Sequence, residues 1–213
     1  IVASCTVPNT VALTFDDGPW VYLNDIATTL KNANATGTFF FIGCIYDEGG
    51  VNRVKFAYEN GHQVASHTWS HKDLAQLGWD QINDELWRID DALMKIVGVT
   101  PAIMRPPYGS FNDQVVQAVR SRSQTLVIWD FESADSIAGA SAENSKNQYD
   151  QVIGRHPNTI LTLNHETSGE HQVLPYAIQK LQAAGYRLVS VAECLGIQPY
   201  QKVSAPSARD VSF

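Results

Sequence analysis

The sequence predicts a single α/β domain built on parallel strands, and three observations lead there. Short apolar runs alternate with longer helical patterns almost from end to end, which implies strands joined by right-handed crossovers in an open sheet or a barrel. The chain has 213 residues, 44% of them hydrophobic, enough for one sizeable core, and single-domain α/β barrels reach this length. It shows no internal repeat and no linker that would divide it.

An apolar run at 10–15 reads as the first strand, and a helical pattern comes after it at 24–34. Thr38-Phe39-Phe40-Phe41-Ile42-Gly43 belongs to a strand at 37–42, with a helix at 51–60 and a strand at 62–66 behind it. The longest helical pattern covers 79–97, where Ile82, Leu86, Ile89, Leu93 and Val97 recur at spacings of three and four and make one face apolar. A strand at 103–105, a helix at 112–121 and a strand at 125–129 come next, then a polar stretch at 136–147 that reads as a surface excursion. A helix at 149–155, a strand at 159–163, a helix at 173–184 and a strand at 187–191 complete the pattern. The domain spans 1–198, and the tail at 199–213 lacks a core pattern and is expected to pack loosely or be disordered.

A net charge of −7 and a pI near 5.2 argue against nucleic acid or an anionic membrane as the main partner. No apolar run is long enough to span a bilayer, so membrane insertion is not expected. The first residues carry no basic-then-apolar leader, which reads as a cytosolic chain or a processed one. Of the three cysteines, Cys5 and Cys194 flank the patterned region. A bridge between them would tie the ends of the domain and contribute about 4–5 kcal/mol in the chain-entropy model, whereas three reduced thiols are the alternative. Cys44, behind an apolar run, reads as a packed free thiol. Asn34-Ala35-Thr36 is an N-glycosylation sequon that would fit secretion.

Polar residues of one kind recur at one place. Asp16-Asp17, His67, Arg105, residues 130–135 and His165 all fall at or just after the C-terminal end of an expected strand, the face on which parallel α/β folds bind ligands. His67 and His71 stand four apart and would share a face if their segment were helical, so both imidazoles could reach one ion. With one carboxylate of the Asp16-Asp17 pair they make the three-ligand set of a catalytic zinc, and the other carboxylate is left to take a proton from water. Thr68 stands where HExxH proteases carry their glutamate, so the base must come from elsewhere. Arg105-Pro106-Pro107-Tyr108-Gly109 is a stiff loop suited to holding a guanidinium against a carboxylate and aiming a backbone N–H at an oxyanion. His165 follows an apolar strand, and Asp135 in Glu132-Ser133-Ala134-Asp135 is a carboxylate able to orient it.

Taken in order, TFDDGP from Thr14, HTWSH from His67, RPPYG from Arg105, ESAD from Glu132 and LNH from Leu163 resemble the motifs of NodB-like polysaccharide deacetylases, a carbohydrate esterase family, and within it the fungal chitin deacetylases most closely. The resemblance spans roughly residues 5–196 and implies a distorted (β/α) barrel. It also implies Asp17, His67 and His71 as ligands of a divalent metal, zinc or another such as cobalt. By the same resemblance Asp16 is the general base paired with Arg105, the Tyr108 N–H an oxyanion donor, and His165 the general acid supported by Asp135. Leu163 would line the acetyl pocket, with Pro107 and Trp129 beside the sugar, although core packing explains Trp129 equally well. The Cys5–Cys194 tie resembles the fungal members too. The family usually has Asp in the place of Glu132 and an aromatic residue in that of Ser136, which leaves pocket shape and substrate preference open.

The resemblance thus implies a secreted or cell-wall monomer that removes N-acetyl groups from chitin or chitooligosaccharides. An O-acetyl esterase acting on xylan, or a catalytically silent chitin-binding protein, is the alternative.

Overall fold

Residues 10–15 do not form one continuous strand: β1 (Thr10–Ala12) breaks at Leu13 and resumes as β2 (Thr14–Gly18). The computed structural model describes residues 1–208, with the backbone alone at Cys44, Tyr46, Glu170 and His171. The expected packed thiol of Cys44 therefore lies outside the described residues, as do positions 209–213. After β2 come α1 (Leu23–Asn32), β3 (Thr38–Phe41), α2 (Glu48–Glu59), β4 (Gln63–Ser66), α3 (Trp79–Val97), β5 (Val99–Pro101), β6 (Ile103–Met104) and α4 (Asp113–Ser121). The chain continues through β7 (Thr125–Leu126), β8 (Phe131–Glu132), α5 (Ala142–Arg155), β9 (Thr159–His165), α6 (Glu170–Ala183), β10 (Arg187–Val189), α7 (Val191–Leu195) and β11 (Tyr200–Val203).

Nine strands form one sheet in the order β10-β1-β9-β2-β3-β4-β6-β7, with β8 also on β9, and all of its pairings are parallel. A short stretch of chain links β7, which pairs with β6, to β8, which pairs with β9, so the two sides of the wall are joined by chain and not by a ladder between β7 and β8. This is the distorted α/β barrel that the family resemblance implies, where strand-helix alternation alone left an open sheet equally possible.

Side chains alternate between two sides of that wall, as strand geometry demands. Ala12, Phe40, Ala65, Ile103, Val127, Leu161 and Val189 meet in one buried cluster with Cys5, Val191 and Cys194. Their neighbours Val11, Leu13, Phe15, Phe39, Phe41, Val64 and Ile160 belong to the larger cluster under the helices. The first set fills the barrel interior and the second faces the helical layer. At the N-terminal ends of the strands the barrel is stoppered. Cys5 and Cys194 form a disulfide, and the Val191 and Ala192 N–H groups donate to Thr38 Oγ1 at 2.9 Å and Gln63 Oε1 at 3.0 Å.

Three expectations need correction. The polar stretch at 136–147 is partly helical, because Ser141 caps α5 by accepting from the Asn144 N–H at 3.1 Å. The strand at 187–191 ends at Val189, where Ser190 caps α7 and turns the chain across the barrel floor. The tail is not loose at 200–203: β11 pairs antiparallel with β5, and the Tyr200 hydroxyl accepts the Val64 N–H at 3.2 Å. Among the described residues, no helix is long and apolar enough to cross a membrane.

Candidate active site

The interior side of each strand continues, two residues on, into the site. Ala12 leads through Thr14 to Asp16, Ala65 to His67, Ile103 to Arg105, Val127 to Trp129, and Leu161 through Leu163 to His165. The period of two therefore delivers a carboxylate, two imidazoles, a guanidinium and an indole to one mouth. Strict alternation would turn Asp17 away. Instead its φ of +68°, with a register shift between Phe15 and Gly18 in the β2–β3 pairing, aims its carboxylate at the same mouth.

His67 and His71 do not share a helix. Their segment is an irregular loop after β4, with positive φ at Thr68 (+70°) and His71 (+55°), and this fold-back brings the rings to 5.1 Å. Asp17 Oδ1 lies 3.0 Å from His71 Nε2 and 3.4 Å from His67 Nε2. One donor atom from each of the three residues falls within 4.8 Å of the others. His67 Nδ1 contacts the Arg105 carbonyl at 2.8 Å, and since a carbonyl only accepts, Nδ1 carries the proton and Nε2 offers its lone pair. Burial raises the Asp17 carboxyl, but when the imidazoles of His67 and His71 are protonated their hydrogen bonds and charge outweigh that and hold it well below the usual carboxylate range.

Asp16 sits deeper, 2% exposed, and accepts from Arg105 Nη1 at 2.8 Å. Arg105 is completely buried at the top of the barrel interior, with its guanidinium carbon 4.3 Å from the Phe40 ring centroid. Nη1 also donates to Thr14 Oγ1 at 2.6 Å, and Nη2 donates to the Ile128 and Thr162 carbonyls. Burial pulls the Arg105 pKa down while Asp16 opposes that shift. On the far wall, His165 Nδ1 bonds Asp135 Oδ1 at 2.8 Å. Burial alone would lower the imidazole, but the Asp135 bond and charge, with Asp16 and Asp17 nearby, push it up to about 9.

Asp16, Asp17, His67, His71 and His165 line one cavity of about 500 Å³, and Tyr108, Trp129, Leu163, Glu132 and Ser136 complete its walls. Tyr108 is 69% exposed, has a φ of +60° and meets the His71 ring edge-on at 4.8 Å. Pro107 is buried in its turn and does not line this cavity. Arg105 and Asp135 stand behind the wall, each touching a residue that does line it. Asp130 turns aside, accepting from the Leu161 N–H at 2.7 Å.

Sequence reasoning missed Glu85. This α3 residue is 5% exposed and receives the Ser70 N–H at 2.7 Å and the Ser70 hydroxyl, which ties down the loop carrying His67 and His71. Its signal was an acid set among Ile82, Leu86 and Ile89 on the apolar face.

The sequence profile of the polysaccharide deacetylase family matches residues 3–127, more than half the chain. The chain belongs to this family. The matched part carries TFDDGP, HTWSH and RPPYG, while ESAD and LNH lie beyond it. A chitin deacetylase from Pestalotiopsis sp is 34% identical over 207 residues, covering 92% of this deacetylase chain and 67% of that protein. Chitin deacetylases from Arthroderma benhamiae and Cryptococcus neoformans are 32% and 31% identical, and the chain spans only 54% and 45% of their lengths. Among solved structures, the chitin deacetylase of Colletotrichum lindemuthianum superposes with a TM-score of 0.88 at 25% identity, over 95% of this chain and 94% of that one.

Proposed function

We propose that this protein is a metal-dependent deacetylase that removes N-acetyl groups from β-1,4-linked N-acetylglucosamine chains, chitin or chitooligosaccharides, and releases acetate. One observation supports this above all: a buried carboxylate held by arginine, a His/His/Asp donor cluster and a carboxylate-backed histidine line a single cavity. The relatives named chitin deacetylases point to the substrate class.

Two imidazoles and a carboxylate, with the His67 tautomer fixed by the Arg105 carbonyl, fit a divalent ion that accepts nitrogen and oxygen donors, zinc first and cobalt second. When bound, such an ion polarises the acetamide carbonyl and makes water acidic enough to attack it near neutral pH. Asp16 takes the proton of the attacking water, with Arg105 fixing its orientation and leaving Oδ2 toward the site. The Tyr108 backbone N–H stabilises the developing oxyanion. His165, oriented through Nδ1 by Asp135, delivers a proton from Nε2 to the departing nitrogen, because an unprotonated amine leaves poorly. Leu163 offers an apolar wall to the acetyl methyl and Trp129 one to the sugar.

Acetate release from defined N-acetylglucosamine oligomers, abolished by chelator and restored by zinc, is the expected result. Full deacetylation by demetallated protein would refute it, and tight chitin binding without acetate release would mark a silent relative. A second reading, O-acetyl ester cleavage, draws on likeness to the family 4 carbohydrate esterase of Streptomyces lividans, at 29% identity and a TM-score of 0.76 over 95% of this chain and 99% of that one. Esters need less leaving-group protonation, so His165→Ala would retain more esterase than amidase activity.

The disulfide suits an oxidising compartment, and we place the protein outside the cell or in the cell wall, as a monomer. Asn34 is exposed in the turn after α1, open to a glycan. Residues 1–198 make up the catalytic unit, and β11 belongs to the segment at 199–213 beyond it.

A further inference from the structure

A second cavity of about 280 Å³ adjoins the first. The two share Asp16, Asp17, Ser136 and His165, so the reacting groups stand on the wall between them. What the second adds is Trp20, Glu166 and Thr167. Trp20 is 56% exposed; Trp79 and Trp87 are exposed too, but neither lines either of these cavities.

The position of Trp20 is fixed from below. Its backbone N–H donates to Glu166 Oε2 at 2.6 Å, and Glu166 is 6% exposed beside His165 at the end of β9. The other carboxylate oxygen packs so closely on Gly18 that a Cβ there would lie 1.9 Å from it. The tryptophan is thus tied to the same turn that carries Asp16 and Asp17, and a ring bound against it keeps register with the reacting centre.

We propose that Trp20 is a specificity-determining platform, stacking on the sugar next to the one being deacetylated and setting the preference for oligomers over the single sugar. The inference rests on the proposed activity. A pyranose presents a face of C–H groups that suits an indole, and the cavity shares a wall with the one proposed to hold the acetamide. Tyr108 and Trp129 wall the first cavity, so an extended polymer passing the centre meets aromatic surface in both.

The test compares unsubstituted protein, Trp20→Ala and Trp20→Phe on N-acetylglucosamine itself, which has no neighbouring sugar, and on its tetramer. Trp20→Ala should raise KM for the tetramer about threefold to tenfold, the range of an aromatic stacking contact. KM for the single sugar should not change and kcat should stay within about twofold, with Trp20→Phe recovering most of the loss. Equal effects on the single sugar and the tetramer, or a loss confined to kcat, would overturn the proposal. Tryptophan emission supplies a readout independent of turnover: tetramer should perturb the unsubstituted protein more than Trp20→Phe. Identical responses would overturn the platform. A Trp20-dependent response without acetate release would instead support the platform and overturn the proposed activity.

Discussion

At the N-terminal ends of the strands, Cys5, Val191 and Cys194 close the barrel on an apolar layer of Ala12, Phe40, Ala65 and Leu161. At the C-terminal ends the same interior holds Asp16 and Arg105 buried together under the cluster of Asp17, His67 and His71. The backbone differs as much as the side chains. Of nine non-glycine residues with positive φ among the described residues, five lie at the second end: Asp17, Thr68, His71, Tyr108 and Ala134. Asn9 and Asn34, two of the other four, are of the type that tolerates this region best. Unfavourable backbone costs about 1–3 kcal/mol per residue and persists only where the surroundings enforce it. One end supplies stability and the other spends part of it on geometry.

The sharpest way to separate the two ends is within the site itself. His71→Ala should lose both the bound divalent ion and acetate release, by about a thousandfold or more, whereas Asp16→Asn should keep the ion and lose turnover by about 10²–10⁴. Metal content and acetate assays check both, and a fully active Asp16→Asn would refute the base assignment. At the other end, replacing Cys5 and Cys194 together by Ser should lower the free energy of unfolding by about 4–5 kcal/mol, given a loop of 189 residues, with kcat nearly unchanged below the transition. A large fall in kcat would show that the ends are not independent.

Arg105 joins the two regions. Arg105→Met leaves Asp16 as an uncompensated buried charge and should cost about 3–5 kcal/mol in denaturant unfolding. Adding Asp16→Asn should return a good part of that stability, but not activity. The smallest effect is expected at Ala134, where φ is +59°. Ala134→Gly should raise stability by about 0.5–1 kcal/mol, because relief of the left-handed strain exceeds the entropy cost of glycine. A lower melting temperature would mean that the strain is absent.

Much of this is legible in sequence, for reasons that differ by element. Helix α3 has the bounds its spacing gives, because a long amphipathic stripe has one solution. Asp16, His67, Arg105 and His165 sit at or just after strand ends, where periodicity and chemistry coincide. The path of the loop from His67 to His71 is not legible, because a spacing of four suggests a helix and does not reveal that Thr68 and His71 both adopt positive φ. The start of α5 is hidden by its polarity, since Ala142 is the one apolar residue between Ser141 and Asn147 and the cap at Ser141 is the sole cue. Strand β11 escapes because its residues are half-exposed or exposed, so tertiary pairing with β5 rather than local pattern decides it.

The shared two-residue step through the strands has an evolutionary corollary. Deleting one residue between Ala12 and Asp16 would swing the acid into the helical layer and flip its neighbours as well. Variation in length is thus barred from the wall and confined to rim segments such as 20–22 and 136–141. Libraries built to retarget this scaffold would do best to randomise those borders and leave strand lengths untouched.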